Sequence, residues 1–176
     1  MILGPAPWIN DRDHPQVLIA LPNNEVIPVD EGIAEFMSWI VRELPPHGRT
    51  DFSCQGHPGK RIVSAYVVIS SLDPDWISNL TKHMCVGLQT FLPYPIRIVP
   101  RGHWPDYHSR CRRGSRVFIE QDSIRGDVLG SPSMCHEIHH RMVLRWRPED
   151  FEPVRLGVME GLFNFTTLDW PRQNVA

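Results

Sequence analysis

The stretch from Ser64 to Phe91, SAYVVISSLDPDWISNLTKHMCVGLQTF, contains a strand pattern followed directly by a helix pattern. Its first part, AYVVIS, is apolar at successive positions, which is typical of a central strand covered on both faces. Asp73 is placed to cap the helix, and Pro74 suits its first turn. The apolar residues that follow recur at helical spacing and predict one buried face: Ile77, Leu80, Met84, Leu88 and Phe91.

Apolar spacing predicts further elements on both sides of this unit. Upstream, QVLIALPNNEVIPV has two apolar runs around Pro22-Asn23-Asn24, which predict a hairpin. Asp30 then caps a helix that ends before Pro45, with a predicted buried face of Ile33, Phe36, Met37, Ile40, Val41 and Leu44. Four more strands are predicted in RTDFSCQG, YPIRIVP, SRVFIEQ and HRMVLRWR. A last helix is predicted in PEDFEPVRLGVMEGL, with Phe151, Val154, Val158 and Leu162 on one face.

The order of these elements predicts an α+β fold. Strand pairs alternate with helices, which favours a mainly antiparallel sheet with helices packed on one face, in a ferredoxin-like sandwich. A chain of 176 residues is the size of one domain, and no linker divides residues 1–176. Residues 164–176 are expected to form a surface strap held by Phe165 and Trp170, or to fray.

Composition limits the classes of partner. A net charge of -2 predicts no general attraction to nucleic acid or to a membrane, so any basic site has to be local. The longest apolar runs are far shorter than a bilayer span, and the N-terminal residues lack the pattern of a signal peptide. We therefore expect a cytoplasmic protein whose 4 cysteines are thiols.

Each of the 4 cysteines has a histidine within three positions. The most suggestive pairs are Cys54-Gln-Gly-His57 and His108-Ser-Arg-Cys111, since each is a two-residue-spaced chelate in a loop bounded by Gly or Pro. Together they would supply the four ligands of a tetrahedral Zn²⁺ site. Alternatively, Cys54 and Cys111 are a strand-end thiol and a loop thiol, or Cys54 is a nucleophile with His57 as its base. Cys85 is expected to be a small buried apolar residue.

The surroundings of Cys54 resemble a recurring arrangement in small uncharacterised prokaryotic and phage-encoded proteins. That arrangement is a helix, a strand, S-C-x-G-(H/D), a glycine-rich loop and a strand containing A/G-Y-(V/I). This chain matches it over about residues 25–70, with VDEGIAEFMSWIVREL, TDFSCQGHPG and AYVVIS. The resemblance implies a common α/β unit in which Ser53, Cys54, Gly56 and His57 shape a turn at the edge of the sheet. No activity is established for that group, so the resemblance implies a fold rather than a function.

The stretch CHEIHH, Cys135 to His140, spells the H-E-x-x-H motif of zinc proteases. On a helix, His136 and His140 would lie one turn apart and bind Zn²⁺, Glu137 would activate a water, and Glu160 is a candidate third ligand. Against a helix, RMVLRW is rich in strand-forming residues, and zincin helices keep an uncharged residue where this chain has Arg141. The alternative is a histidine-rich loop or strand end at the surface.

A local basic cluster lies between residues 97 and 116. Its candidate anion-binding residues are Arg101, Arg110, Arg112 and Arg113, interleaved with Trp104 and Tyr107. Arginines with stackable aromatic rings suit single-stranded nucleic acid or a phosphate group. The alternative is a solvated loop whose arginines pair with the chain's own acids.

These patterns leave three hypotheses. The first is a small cytoplasmic recognition or regulatory module that binds zinc through the Cys/His loops and contacts an anionic partner through the arginine segment. The second is a zincin-like hydrolase that uses His136, Glu137 and His140. The third is a metal-free interaction protein of a virus or mobile element.

Overall fold

The computed structural model describes residues 1–6, 15–44, 47–56, 64–100, 117–125 and 138–169. These residues form the strands β1 (Ile2–Pro5), β2 (Gln16–Ala20), β3 (Val26–Asp30), β4 (Arg49–Cys54), β5 (Ala65–Ser71), β6 (Arg97–Pro100), β7 (Val117–Arg125) and β8 (Ile138–Trp146). They also form the helices α1 (Ala34–Glu43), α2 (Pro74–Phe91) and α3 (Phe151–Asn164). Short 3₁₀ turns precede α1 and α3, and a π-helical turn at Phe165–Asp169 follows α3. None of the helices formed by these residues is both long enough and apolar enough to span a membrane.

Five strands form one sheet in the order β4-β5-β8-β7-β6. β4, β5, β8 and β7 pair antiparallel, and the edge strand β6 pairs parallel to β7. Along the chain the order is β5-α2-β6-β7-β8-α3, so that β5, α2, β7, β8 and α3 form a βαββα unit interrupted by the edge strand β6. A ferredoxin-like chain adds its last strand after the second helix, whereas here β4 precedes the unit and pairs beside β5. The predicted α+β class, with a mainly antiparallel sheet and helices packed against it, is confirmed.

The strands β1, β2 and β3 form a second, antiparallel sheet. The predicted hairpin is its β2–β3 pair, and Asn24 in the turn has φ 65°, in the left-handed region that asparagine tolerates. The sequence does not predict β1, because two of its four residues, Gly4 and Pro5, are poor strand formers.

The apolar face of α1 joins the two sheets in one core. All the residues predicted for this face are buried: Ile33, Phe36, Met37, Ile40, Val41 and Leu44. Phe36 packs edge to face on two rings from other elements, with centroid distances of 6.4 Å to Trp146 in β8 and 5.7 Å to Phe151 in α3. The same cluster of buried residues includes Ile19 of β2.

The backbones of helices α2 and α3 are in direct contact at Gly87 of α2 and Gly157 of α3. A Cβ atom added to Gly87 would collide with the carbonyl oxygen of Gly157, and one added to Gly157 would lie 2.6 Å from the Cα of Leu88. Trp76 of α2 and Phe165 after α3 are fully buried and pack edge to face, with centroids 5.3 Å apart. The two helices therefore cover the sheet as one closely packed layer.

One predicted helix cap is confirmed, and two other predicted helix details differ from the structure. Asp73 caps α2 as predicted, since its Oδ1 accepts hydrogen bonds from the backbone N–H groups of Asp75 at 2.8 Å and Trp76 at 3.1 Å. The predicted cap by Asp30 is wrong, because its side chain makes no capping hydrogen bond. Helical spacing places Phe91 on the buried face, but its side chain is 38% exposed, because it is the last residue of α2.

Candidate functional site

The five-stranded sheet has two faces of different chemistry, because side chains alternate between the faces of a strand. The helix face consists of Ala65, Val67, Ile69, Val117, Ile119, Met142, Leu144 and Trp146. The charged face lies opposite and consists of Tyr66, Val68, Ser70, Phe118, Glu120, Asp122, His139, Arg141, Val143 and Arg145. Glu120 is 4% exposed and Arg145 is 6% exposed. Such burial of a charge is costly unless the charge is paired.

Arg145 is the centre of one buried group. Its Nε donates to Glu120 Oε2 at 2.8 Å, and the exposed fractions of the two side chains are 7% and 5%. Its guanidinium carbon lies 5.2 Å from the ring centroid of Tyr66, in a cation–π contact. The arginine is thus fixed between a carboxylate and an aromatic ring.

Arg141 forms a second ion pair on the same face. It lies directly opposite Asp122 in the β7–β8 register, and its Nε donates to Asp122 Oδ1 at 2.8 Å while Nη2 donates to Oδ2 at 2.5 Å. This two-point geometry is the strong form of an arginine–carboxylate pair. Arg141 and Arg145 therefore each have a carboxylate partner on β7.

Cys54 ends β4 directly opposite Tyr66 of β5. Its side chain is a half-buried thiol, and the backbone N–H of Gly56 donates to Sγ at 3.4 Å. Burial raises the pKa of Tyr66, and negative charge on Cys54 raises it further, while Arg145 acts in the opposite direction. Cys54, Tyr66 and Arg145 are thus close enough to influence one another electrostatically.

The residue after Cys54 is tied to the N-terminal part of the chain. Asp30 is 3% exposed, and its Oδ2 accepts the backbone N–H of Gln55 at 3.0 Å while its Oδ1 accepts from Gln16 at 3.1 Å. Gln55 Oε1 in turn accepts the backbone N–H of Gly32 at 2.8 Å. The carboxylate predicted to cap a helix instead holds the end of β4 in place, and with it the Cys54 thiol.

A cavity of 220 Å³ lies at the other end of the charged face, where β4 begins. The described residues that line it are His47, Gly48, Arg49, Ser70, Ser71, Leu72 and His139. Arg49 is exposed, and its Nε donates to Ser70 Oγ at 3.3 Å. His139 is only 6% exposed. Three separate chain segments thus bring basic or hydroxyl side chains to one place.

His140 lies on a strand rather than on a helix. Ile138–Trp146 form β8, and the Nδ1 atom of His140 lies 2.9 Å from Ser123 Oγ on β7. His136 and Glu137 lie outside the described residues, and Glu160 lies on α3. A strand at 138–140 does not give the one-turn spacing of two histidines on which the zinc-protease hypothesis depends.

Most of the other predicted site residues lie outside the described ranges. These are the metal ligands His57, His108 and Cys111 and the anion-binding residues Arg101, Trp104, Tyr107, Arg110, Arg112 and Arg113. Of the predicted Cys/His site the structure describes Cys54, and the four-ligand arrangement stays a prediction. In the part of the chain that the structure describes, no three Cys, His, Asp or Glu side chains are grouped to hold a metal ion.

The sequence patterns described above do not predict the ion pairs of the charged face. A signal was present, since Arg141 and Arg145 lie four positions apart on one strand and Glu120 and Asp122 lie two apart on its neighbour, which places each pair on one face. Charged residues that share a face of a strand usually indicate a solvated face. Here Asp122 lies directly opposite Arg141, and Glu120 lies diagonally across from Arg145 on the adjacent strand. Each acid therefore neutralises a base, and both pairs become buried.

Comparison of the chain with protein-family models, with curated proteins and with solved structures found no match. A folded core does not require buried ion pairs, because well-packed apolar residues often stabilise as well or better. The charged face is for this reason the part of the sheet that we associate with function.

Proposed function

We propose that the protein is a zinc-binding recognition module of the cytoplasm. In this proposal Cys54, His57, His108 and Cys111 hold Zn²⁺, and the arginine–aromatic segment 101–113 contacts an anionic partner. The main support for this proposal is the strand register of the five-stranded sheet. The register brings the end of β4 and the start of β7 to one end of the sheet, which would allow the two Cys/His pairs to bind one metal ion.

The end of β4 and the start of β7, the described strand ends nearest in sequence to the two pairs, lie at the same end of the sheet. Cys54 at the end of β4 lies opposite Tyr66 of β5. Ala65, the residue before Tyr66, lies opposite Trp146 of β8, and Trp146 lies opposite Val117 at the start of β7. Three strand spacings, about 14 Å, separate the end of β4 from the start of β7. Cys111 precedes Val117 by 6 residues, which can span up to about 20 Å. The chain is therefore long enough for both pairs to reach one metal ion.

The surroundings of Cys54 suit a metal-bound thiolate. Zinc binds the deprotonated form of cysteine. The backbone N–H of Gly56 donates a hydrogen bond to the sulfur at 3.4 Å. Hydrogen bonds to a ligand atom commonly orient metal ligands. This hydrogen bond favours negative charge at the Cys54 sulfur.

Elemental analysis of protein purified without a histidine tag tests the zinc site. We expect about one zinc per chain in the wild type, as for a structural site, and its loss in Cys54→Ser and in Cys111→Ser. The matched control is Cys85→Ser, since Cys85 lies on α2 and packs against the core. This variant is expected to keep its zinc.

Zinc-free wild-type protein that takes up no zinc on addition would overturn this part of the proposal. Zinc retained in both Cys54→Ser and Cys111→Ser would do the same. If the protein binds neither zinc nor an anionic partner, the metal-free interaction protein becomes the better hypothesis.

Binding of a labelled single-stranded oligonucleotide tests the anionic partner. Each phosphate contact contributes to the salt dependence of binding, so the double variant Arg112→Gln/Arg113→Gln is expected to bind more weakly and with a shallower salt slope. Arg42→Gln is the matched control, since Arg42 on α1 is 67% exposed and pairs with Glu43. Equal affinity of the double variant and the wild type would contradict a role for this segment.

A further inference from the structure

A groove of 740 Å³ lies between β1, α1 and α3, and its described lining contains none of the site residues predicted from the sequence. Its volume falls within the roughly 300–1,000 Å³ that is usual for small-molecule sites. We propose that it binds a small organic cation, an amine or quaternary ammonium group attached to an apolar body. The inference does not involve the proposed zinc ligands or segment 101–113, so it goes beyond the proposed function and stands without it.

Two helical segments supply the walls of the groove. On one wall, Glu31, Glu35 and Trp39 lie four residues apart along the 3₁₀ turn and α1. On the other wall, Arg155 and Met159 have the same spacing along α3. Residues four apart are neighbours on one face of a helix. Each wall is therefore a row of adjacent side chains.

The base of the groove is apolar and aromatic. Val17 and Phe36 are buried, and Phe151 is half-buried. The rings of Phe36 and Phe151 pack edge to face with centroids 5.7 Å apart, so each ring holds the other in place. Trp39 adds a third ring, which is half-buried. Aromatic faces attract cations, and the apolar side chains favour a ligand with an apolar body.

The one arginine of the described lining is fully engaged by its neighbours. Arg155 donates from Nε and Nη2 to the two carboxylate oxygens of Glu152, at 2.9 and 2.6 Å. Its Nη1 contacts the sulfur of Met159 at 3.3 Å. The pKa of Arg155 is raised mainly by the hydrogen bond to Glu152 and less strongly by the charge of Glu35. Glu35 on α1 therefore lies within electrostatic reach of the α3 wall.

The two carboxylates of the α1 wall make the groove negative. Glu31 and Glu35 are exposed, and neither forms an ion pair with another residue in the part of the chain that the structure describes. The N-terminal ends of α1 and α3 each contribute about half a positive charge, which does not cancel two carboxylates. A concave surface with one sign of charge concentrates ions of the opposite sign. The groove therefore attracts cations.

The backbone that carries these carboxylates is held in place. The backbone N–H of Glu31 donates to the carbonyl oxygen of Pro15 at 2.9 Å. The next N–H, that of Gly32, donates to Gln55 Oε1 at 2.8 Å. Because the segment is fixed before a ligand arrives, the ordering cost of binding is reduced.

Three ligands with the same body and different charge test this site: phenylpropylamine, which is a cation at neutral pH, the neutral phenylpropanol and the anion phenylpropanoate. Each is titrated into the full-length protein and followed by amide chemical shifts or by calorimetry. We expect saturable binding of the amine, at least about tenfold tighter than binding of the alcohol, since one charge-assisted contact supplies a difference of this size. The carboxylate should bind most weakly.

The double variant Glu31→Gln/Glu35→Gln tests the source of this preference. It is expected to abolish the preference for the amine over the alcohol, because it removes the two charges and leaves the apolar base of the groove unchanged. Trp39→Leu should weaken binding of both ligands. Glu25→Gln is the matched control, since Glu25 is an exposed residue of the β2–β3 turn and does not line the groove. It should leave both affinities unchanged.

The proposal fails if phenylpropylamine does not saturate the wild-type protein, or if the amine and the alcohol bind with equal affinity. It also fails if Glu31→Gln/Glu35→Gln keeps the wild-type preference, since both substitutions are at exposed positions and the variant is expected to fold normally. Chemical-shift changes in α1 and α3 on addition of the amine support the proposal. Changes confined to other elements contradict it.

A phenylalanyl-lysine dipeptide, capped at both ends, distinguishes a small amine from a basic segment of a partner protein. It carries an aromatic ring and an amine on a peptide backbone. An affinity no higher than that of phenylpropylamine supports a small-molecule site. Binding that is at least about tenfold tighter, a difference large enough to show added contacts to the backbone, would overturn the small-molecule assignment in favour of a peptide ligand.

Discussion

The two faces of the five-stranded sheet are made by the same strands and differ in how they are buried. On β8, Leu144 is 1% exposed on the helix face and Arg145 is 6% exposed on the charged face. Leu144 is covered by an apolar core, whereas Arg145 is neutralised by Glu120 and stacks on Tyr66. The depth of burial thus does not distinguish the faces. The faces differ in what makes burial of a side chain favourable. On the charged face each charged side chain needs a specific partner, whereas on the helix face an apolar side chain only needs to fill the available volume.

The largest loss of stability is expected when one partner of the most deeply buried ion pair, Arg145–Glu120, is removed. Glu120→Leu breaks a buried ion pair by removing its carboxylate, which costs about 3–5 kcal/mol in the free energy of unfolding. Chemical denaturation of Glu120→Leu and wild type measures the difference.

The double variant Glu120→Leu/Arg145→Met is the control for this prediction. It removes both charges and replaces them with apolar groups of similar size, so most of the lost stability should return. A single variant that loses less than about 1 kcal/mol would show that Arg145 does not depend on this partner.

On the helix side of the sheet, a smaller loss of stability is expected when a methyl group is added at the close contact between α2 and α3. Gly87→Ala improves the intrinsic helix propensity, but its Cβ would press on the backbones of Gly157 and Gly161. Overpacking of this kind typically costs about 1–3 kcal/mol. Thermal or chemical unfolding measures it.

The neighbouring substitution Val86→Ala controls for changes in the helix itself, since Val86 is 62% exposed. Its stability should stay within about 0.5 kcal/mol of the wild type. A stabilised Gly87→Ala would mean that the helices separate without cost, which contradicts the close packing of this layer.

The sequence predicts the helix face better than the charged face, and the reason is physical. An apolar side chain is buried whatever its partner, so spacing alone identifies Phe36 and Ile40 on α1 and Leu80 on α2. A charged side chain is buried only when groups from other parts of the chain pair with it or hydrogen-bond to it. The strand pairing that brings Arg141 to Asp122 is not encoded in either segment alone.

The same limit applies to the candidate sites. The zinc prediction rests on spacings within two short segments, of which the structure describes Cys54. The cavity residues His47, Arg49 and His139 carry no motif, and pairing of β4, β5 and β8 brings them together. The two rows of groove residues on α1 and α3 likewise meet only through tertiary packing. Sites of this kind become visible only in the folded chain.

Burial is also expected to lower the chemical reactivity of a cysteine thiol on the helix side of the sheet. Burial raises the pKa of Cys85, which packs against the core from α2. At pH 8 a smaller fraction of Cys85 is therefore thiolate, and its alkylation should be slower than that of an unfolded chain. Mass spectrometry of peptides after timed alkylation measures this rate for each cysteine. A Cys85 rate equal to that in the denatured protein would contradict the prediction.

The smallest effect is expected in the titration of Tyr66 on the charged face. Its pKa is raised mainly by burial and secondly by negative charge on Cys54. Below pH 10 the phenol is neutral in both the folded and the unfolded chain. Above pH 10 the unfolded chain ionises first, so stability contributed by Tyr66 is lost as pH rises. Tyr66→Phe should therefore lose less stability than wild type between pH 10 and pH 11.

Absorbance of tyrosinate near 295 nm relates this titration to Cys54. Cys54→Ala removes the second cause of the shift and leaves the first, so the pKa of Tyr66 should fall and still exceed its ordinary value. Cys85→Ala is the matched control and should leave the tyrosine titration unchanged. Identical curves for wild type and Cys54→Ala would show that no negative charge on Cys54 acts on Tyr66. The charged face would then be a set of separate pairs rather than a connected group that extends to the proposed zinc ligand.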